Sequence, residues 1–182
     1  EEMASGDAAL QLAVIEAALQ GQDPDVCDAV AENVGNLPPH LQLQALGALE
    51  FSGNRSHAKV VEPLLESGDT SVQDQAARAL ARISTVKSVA PLLTHDRPEA
   101  RRSLGLLDAD GVDNLLEEIA GTGDNDSIRA AAIDALARRG RQDLIAACFI
   151  FAEEDSPDVS TSAVKAIGQM GDPRFRRVLL LG

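Results

Sequence analysis

The 182-residue sequence predicts an all-α fold, a right-handed superhelix (solenoid) of about six helical hairpins. Three observations lead to this prediction. Aromatic residues make up only 2% of the chain although 45% is apolar, and strand-forming residues are scarce. Apolar side chains recur at steps of three and four residues, as on one face of a helix. A pattern of small residues also returns along the chain, which indicates an internal repeat.

The repeated pattern is a helix whose apolar face consists mainly of alanine. It is clearest in SVQDQAARALARIS (71–84), SIRAAAIDALARRG (127–140) and DVSTSAVKAIGQMG (158–171). An Ala-Leu pair or its equivalent marks the first helix of each unit, at steps of 24 to 34 residues: Ala18-Leu19, Ala45-Leu46, Ala79-Leu80, Ser103-Leu104, Ala135-Leu136 and Ala166-Ile167. Alanine lets neighbouring backbones approach closely, so these first helices are expected to stack on one another.

A second helix follows the first in each unit. Pro63-Leu64-Leu65, Pro91-Leu92-Leu93 and Asn114-Leu115-Leu116 mark it in three units. Asp and Ser residues supply N-caps, Pro157 suits a first helical turn, and Gly140 and Gly171 suit the left-handed ends of first helices. The chain is therefore predicted to be one solenoid domain with approximate repeats at 7–36, 37–67, 68–95, 96–122, 123–154 and 155–182.

This outline is similar to the HEAT-like repeats of the phycobilisome-lyase type, which have an armadillo-type superhelical fold. The segments that carry the resemblance are SIRAAAIDALARRG, AVKAIGQMGDP and VAPLLTH. They follow the family pattern of a Val-Arg-x-x-Ala-x-x-Ala-Leu-Gly helix, a Gly-Asp turn and a Pro-Leu-Leu helix. The resemblance covers nearly the whole chain. It implies the fold rather than the function, since such repeats serve lyases, glycosylases, hydroxylases and scaffolds alike.

The charge balance argues against a general nucleic-acid binder. The formal net charge is −13, from 29 acidic and 16 basic residues, and only three of the basic residues are lysine. Phosphate contacts need a basic footprint, whereas the two arginine clusters (138, 139, 141 and 174, 176, 177) lie in a field of net negative charge. Such an acidic, lysine-poor composition resembles proteins of salt-loving microbes, with a GC-rich genome as the alternative explanation.

No catalytic, metal or cofactor site is predicted. In hydroxylases with similar repeats, the iron-binding histidines are each followed by Glu. None of His40, His57 and His95 is followed by Glu. Asp124-Asn125-Asp126 matches only half a calcium loop and is interpreted as a helix cap. With four Phe as its only aromatic residues, the chain offers little to a flat tetrapyrrole.

Several charged residues are interpreted as structural. Arg97 and Arg129 are expected to pair with acidic residues of a neighbouring repeat, whereas Glu117-Glu118 and Glu153-Glu154 resemble solvated helix ends.

The predicted function is a non-catalytic protein-binding scaffold or adaptor, with a role in microbial signalling or complex assembly and a partner that carries basic residues. No small-molecule ligand is expected. The alternatives are a phycobilisome-lyase-like enzyme or chromophore handler and, third, a DNA-binding glycosylase-like protein. In solenoids of this class the second helices line the concave side. The contact positions predicted there are Lys59, Glu66, Lys87, Thr94, Asp110, Glu117, Asp143 and Ile150.

The segment DLIAACFIFAEE (143–154) is apolar almost all round. Its residues Phe149, Ile150 and Phe151 are expected to leave an apolar patch for a partner.

The isolated Cys27 and Cys148 are expected to be core residues in a reducing compartment, so a cytoplasmic location is predicted. The longest apolar run, 144–152, is far shorter than the roughly 20 residues that span a bilayer. No signal peptide or membrane contact is predicted.

Overall fold

The computed structural model describes residues 8–20 and 23–171, and every regular element in these ranges is helical. The α-helices are α1 (Ala8–Leu19), α2 (Pro24–Asn33), α3 (Pro39–Ser52), α4 (Ala58–Val61), α5 (Thr70–Ile83), α6 (Val89–Thr94), α7 (Pro98–Leu106), α8 (Val112–Thr122), α9 (Asp126–Arg138), α10 (Ile145–Ala152) and α11 (Pro157–Gln169). Short 3₁₀ turns cover Val34–Asn36, Arg55–His57, Glu62–Glu66, Val86–Ser88 and Gln142–Leu144. The arginine cluster 174, 176 and 177 and the apolar run 178–181 lie outside the described residues.

The helices form two layers. The odd-numbered helices, which are the first helices of the repeats, contact one another in chain order from α1 to α11. The second helices α4, α6, α8 and α10 pack mainly on the first helix that follows them, whereas α2 packs on both α1 and α3. The predicted all-α solenoid is confirmed.

Buried alanine is the common feature of the first-helix layer. Ala45 in α3, Ala79 in α5, Ala100 in α7, Ala132 in α9 and Ala163 in α11 have no exposed surface. They belong to one continuous core that runs from Ile15 to Ile167. Because alanine projects a single methyl group, neighbouring helices approach without a gap that larger side chains would have to fill.

Gly105 shows how closely two first helices approach. A Cβ atom built on Gly105 of α7 would lie 2.8 Å from the Cβ of Arg138 on α9, which is closer than two such atoms pack. The aliphatic stem of Arg138 therefore covers the backbone of α7. A larger residue at position 105 would push the two helices apart.

The turns have the predicted chemistry. The side chain of Asp69 accepts a hydrogen bond from the Ser71 amide, and Asn125 accepts one from the Ile128 amide at 3.1 Å. Asn125 is thus a helix cap, as expected for the Asp-Asn-Asp segment. Gly140 and Gly171 have φ angles of +70° and +72°, the left-handed conformation that glycine adopts without steric cost.

Leucine at a stacking alanine is expected to destabilise the solenoid. Ala132→Leu adds volume where α9 has no free space and should lower the free energy of unfolding by about 1–3 kcal/mol. Ala90→Leu is the matched control, because Ala90 is exposed on α6 and leucine is also a good helix former. Urea denaturation followed by circular dichroism measures both variants. Equal stability of the two would contradict the close-packing account.

Candidate functional site

An apolar groove lies among α8, α9 and α10. It has a volume of about 230 Å³ and is walled mainly by aliphatic and aromatic side chains. Its lining residues are Glu117 and Ala120 from α8; Ile133, Leu136 and Ala137 from α9; Arg141 and Leu144 just before α10; Ala147, Cys148 and Phe151 from α10; and Met170 after α11. A groove of this composition can take up an apolar side chain or a small apolar ligand.

Helix α10 supplies one wall of the groove because its residues are apolar. Ile145 and Cys148 are buried, while Phe149 and Phe151 are half-buried against the core. Ile150 points outward and keeps 68% of its surface exposed. The Cys148 thiol lies in this apolar setting, and burial raises its pKa. Since a thiolate rather than a thiol is the reactive form, this cysteine suits packing rather than nucleophilic chemistry.

The rim of the groove carries a cluster of arginines and carboxylates. Arg141 lies 2.7 Å from both Asp113 and Asp143 and 2.5 Å from Glu117. Arg139 binds Asp113 and also donates to the Leu107 carbonyl. Burial raises the pKa of Asp113, but hydrogen bonds from Arg139 and Arg141 outweigh it and hold that pKa below its usual range.

This cluster changes the interpretation of the basic residues Arg138, Arg139 and Arg141. Two of these three arginines are bound by the carboxylates at 113, 117 and 143, so the cluster carries a net charge of −1. Little positive charge is left there for a phosphate group. The sequence alone could not show this, because Asp113 lies 26 positions from Arg139 and still farther along the chain from Arg141.

The predicted contact residues fall into two groups. Glu117 and Phe151 line the groove, Asp143 belongs to its rim cluster, and Phe149 and Ile150 lie on the same helix as Phe151. The others lie along the second-helix layer, exposed and away from the groove: Lys59, Glu66, Lys87, Thr94 and Asp110. Lys59 borders a separate polar pocket of about 170 Å³ with Asp28 and His57.

Several groove residues carried no signal in the sequence. Ile133, Leu136 and Ala137 have the pattern of core positions on a stacking helix, and their helix is indeed mostly buried. The apolar groove beside these three residues depends on the distance between α8 and α10, which the sequence does not reveal. Two exposed apolar residues, Phe51 at 79% and Leu106 at 68%, were also missed. Leu106 lies two positions after Leu104 and Phe51 lies five positions after Leu46, so the register of the marking pairs does not reveal them.

The two arginines that were expected to link neighbouring repeats behave differently. Arg97, just before α7, forms two 2.8 Å hydrogen bonds with Asp74 on α5, which confirms the expectation for this residue. Arg129 on α9 instead binds Glu154, at the end of the second helix of its own repeat, with two 2.8 Å bonds. The expectation of a partner in a neighbouring repeat was therefore wrong for Arg129. The interpretation of Glu117 and Glu154 as solvated residues was wrong as well, because Arg141 binds Glu117 and Arg129 binds Glu154.

Arg129 connects three helices because α9 places it between them. Its Nε donates to the Ala120 carbonyl of α8 at 3.0 Å, while its guanidinium lies 5.9 Å from the centre of the Phe151 ring. The hydrogen bonds from Arg129 to Glu154 and the cation–π contact with Phe151 hold the carboxyl end of α10 near α9. The aromatic wall of the groove is thereby fixed in position.

Within residues 8–20 and 23–171, no three His, Cys, Asp or Glu side chains come together as a metal site requires. His57 bonds Asp28 at 2.7 Å and accepts from the Asn54 amide, so it joins α2 to the turn before α4. In the same ranges, no helix combines the length and apolar character that a membrane span needs.

Comparison with known proteins gives one family match. A model for HEAT repeats matches residues 112–180. Two crystal structures of engineered proteins from the Northeast Structural Genomics Consortium are similar to the chain. One has 20% identity over 93% of this chain and 96% of that chain, with a TM-score of 0.49. The other has 18% identity over 93% of both chains, with a TM-score of 0.48. No match was found among curated proteins.

The Asp74–Arg97 pair predicts a pH-dependent contribution to stability. The hydrogen bond from Arg97 lowers the pKa of Asp74 more than burial raises it. This contribution is therefore complete above the unfolded pKa of about 3.9 and is lost as pH falls through the lower folded value. Arg97→Gln should reduce the urea midpoint at pH 7. The difference in urea midpoint between this variant and the native chain should become smaller below about pH 4.

Urea titrations of both proteins between about pH 7 and 3 measure that difference. Arg82→Gln is the control, because Arg82 has no carboxylate within 4.0 Å among the described residues. A gap between native chain and Arg97→Gln that stays constant down to about pH 3 would contradict the role of Asp74.

Proposed function

We propose that this chain is a non-catalytic protein-binding scaffold. In this proposal its partner inserts an apolar side chain into the groove lined by Ile133, Leu136, Ala147 and Phe151 and places basic residues against the acidic surface around it. The observation that carries the proposal is the preformed apolar groove beside the exposed Ile150.

The size of the groove favours a side chain over a large flat ligand. Sites that enclose drug-sized molecules measure roughly 300–1,000 Å³, whereas this groove has about 230 Å³. Its aliphatic walls gain from the removal of apolar surface from water, and Ile150 adds apolar area outside the groove. A single anchoring side chain within a wider contact is typical of protein interfaces.

The charge of the chain favours a partner with basic residues. Against a net charge of −13, three carboxylates surround Arg141 at the rim, and Glu118 and Glu153 are exposed on the adjoining helices. An acidic surface speeds encounter with a basic one and disfavours acidic competitors. The affinity of such a partner is expected to fall as salt is added.

The repeat architecture supports a scaffold as well. Stacked helical repeats present an extended surface with little rearrangement on binding, so the ordering cost of association is small. HEAT repeats generally serve in protein interactions, and the family match covers the helices that form the groove. The proposed setting is microbial signalling or complex assembly. The phycobilisome-lyase subtype remains a prediction from the repeat outline in the sequence.

Selection of peptides from a random displayed library on the immobilised chain tests this proposal. Enriched peptides should carry Lys or Arg beside a large apolar residue. Ala147→Phe, which fills the groove, should weaken their binding about tenfold or more. The matched control is Ala90→Phe, the same change at an exposed position on α6, and it should leave binding unchanged.

Fluorescence titrations with synthetic versions of the enriched peptides, at low and high salt, provide the affinities. If no enriched peptide distinguishes Ala147→Phe from Ala90→Phe, the groove is not the contact surface. Visible absorbance of the purified chain after incubation with a linear tetrapyrrole provides a separate check, because stoichiometric binding would favour the chromophore-handling alternative.

A further inference from the structure

A third cavity, of about 390 Å³, lies where the carboxyl ends of α3, α5 and α7 meet. In contrast to the apolar groove, its walls include charged and polar side chains: Arg55, Arg82, Ser84 and Asp108. It shares no lining residue with the groove. An inference about this cavity is therefore independent of the proposed scaffold function.

The two arginines of this cavity lack the partners that other arginines of the chain have. Of the ten arginines in residues 8–20 and 23–171, seven lie within 4.0 Å of a carboxylate. The three without such a partner are Arg55, Arg82 and Arg138, and the first two line this one cavity. In a chain with a net charge of −13, two unpaired guanidinium groups at the same cavity are a local exception.

Ser84 adds an unused hydrogen-bonding group. Only 3% of its surface is exposed, and its hydroxyl has no hydrogen-bond partner within the described part of the chain. Buried hydroxyl groups are almost always hydrogen-bonded, because an unmet donor loses its water without compensation. Asn54 cannot supply the missing acceptor, because its Oδ1 already accepts from the amide and the hydroxyl of Ser56.

We infer that this cavity binds an oxyanion group, a carboxylate or a phosphate, between Arg55 and Arg82. The Ser84 hydroxyl, which is enclosed in this structure, turns toward the cavity to act as an additional donor. Guanidinium groups bind such oxygens with two parallel N–H bonds, and a buried serine can donate a third bond. Asp108 also lines the cavity, so the charged groups there sum to +1. This favours a ligand of low charge over a polyanion, and the exposed Leu106 beside it can contact an apolar part of the ligand.

An NMR titration of the ¹⁵N-labelled full chain tests this inference. Inorganic phosphate and sodium acetate are the two probes, and sodium chloride at equal ionic strength is the reference. Either probe should produce saturable shifts in the amide signals of residues 53–55 and 82–85. Saturation by phosphate alone assigns the site to phosphate groups, and saturation by acetate alone assigns it to carboxylates.

Three variants locate the site. Arg82→Gln and Arg55→Gln should each raise the dissociation constant of the active probe about tenfold or more, and Ser84→Ala about threefold. Arg138→Gln is the matched control, since Arg138 is also exposed and without a carboxylate partner but does not line the cavity. It should change the constant less than about twofold. Circular dichroism checks that each variant retains its helical content.

Three outcomes would overturn the inference. The first is an absence of saturable, localised shifts with both probes. The second is unchanged binding in folded Arg82→Gln and Arg55→Gln. The third is an equal loss of affinity in Arg138→Gln, which would reduce the effect to general surface charge.

Discussion

The close approach of neighbouring first helices is the constraint on which the rest of the structure depends. Alanines with no exposed surface lie along this layer, and at Gly105 there is no room for even one methyl group beside Arg138. Large side chains therefore fill the space between the layers instead of separating the first helices. The second helices lie farther from one another, and the space left between α8 and α10 is the apolar groove.

Arginine has mainly a structural role in this acidic chain. Arg97 ties α7 to α5 through Asp74, and Arg129 holds α8 and the end of α10 to α9 through Ala120 and Glu154. Each guanidinium meets carboxylates or carbonyls in a fixed geometry, which lysine could not match with one ammonium group. Because most of the described arginines are paired in this way, the unpaired Arg55 and Arg82 at the carboxyl ends of α3 and α5 are available to bind a ligand.

The sequence predicts what depends on local spacing and leaves open what depends on distance. The alanine pattern, the Asn125 cap and the left-handed glycines follow from neighbours a few positions apart, and these predictions are confirmed. The partner of Arg129 is 25 positions away, and Asp113 is 26 positions from Arg139. Such pairs depend on how the helices cross. The groove and the polar cavity also depend on how the helices cross, so no local sequence motif predicts either of them.

The packing of each second helix on the first helix that follows it has a consequence for cooperativity. The second helices α8 and α10 pack more on α9 and α11 than on the first helices of their own predicted repeats, so these pairs are offset by half a hairpin from the repeat boundaries predicted from the sequence. Apart from the contacts of Arg129 with Glu154 and Phe151, little ties α10 to α9, so local opening should meet less resistance between α9 and α10 than between α8 and α9. The sequence repeat, a first helix and the second helix after it, therefore need not coincide with the pair of helices that unfolds together. With the repeat boundaries predicted from the sequence, the two kinds of unit alternate along the described part of the chain, and a second helix completes its packing on the hairpin after it.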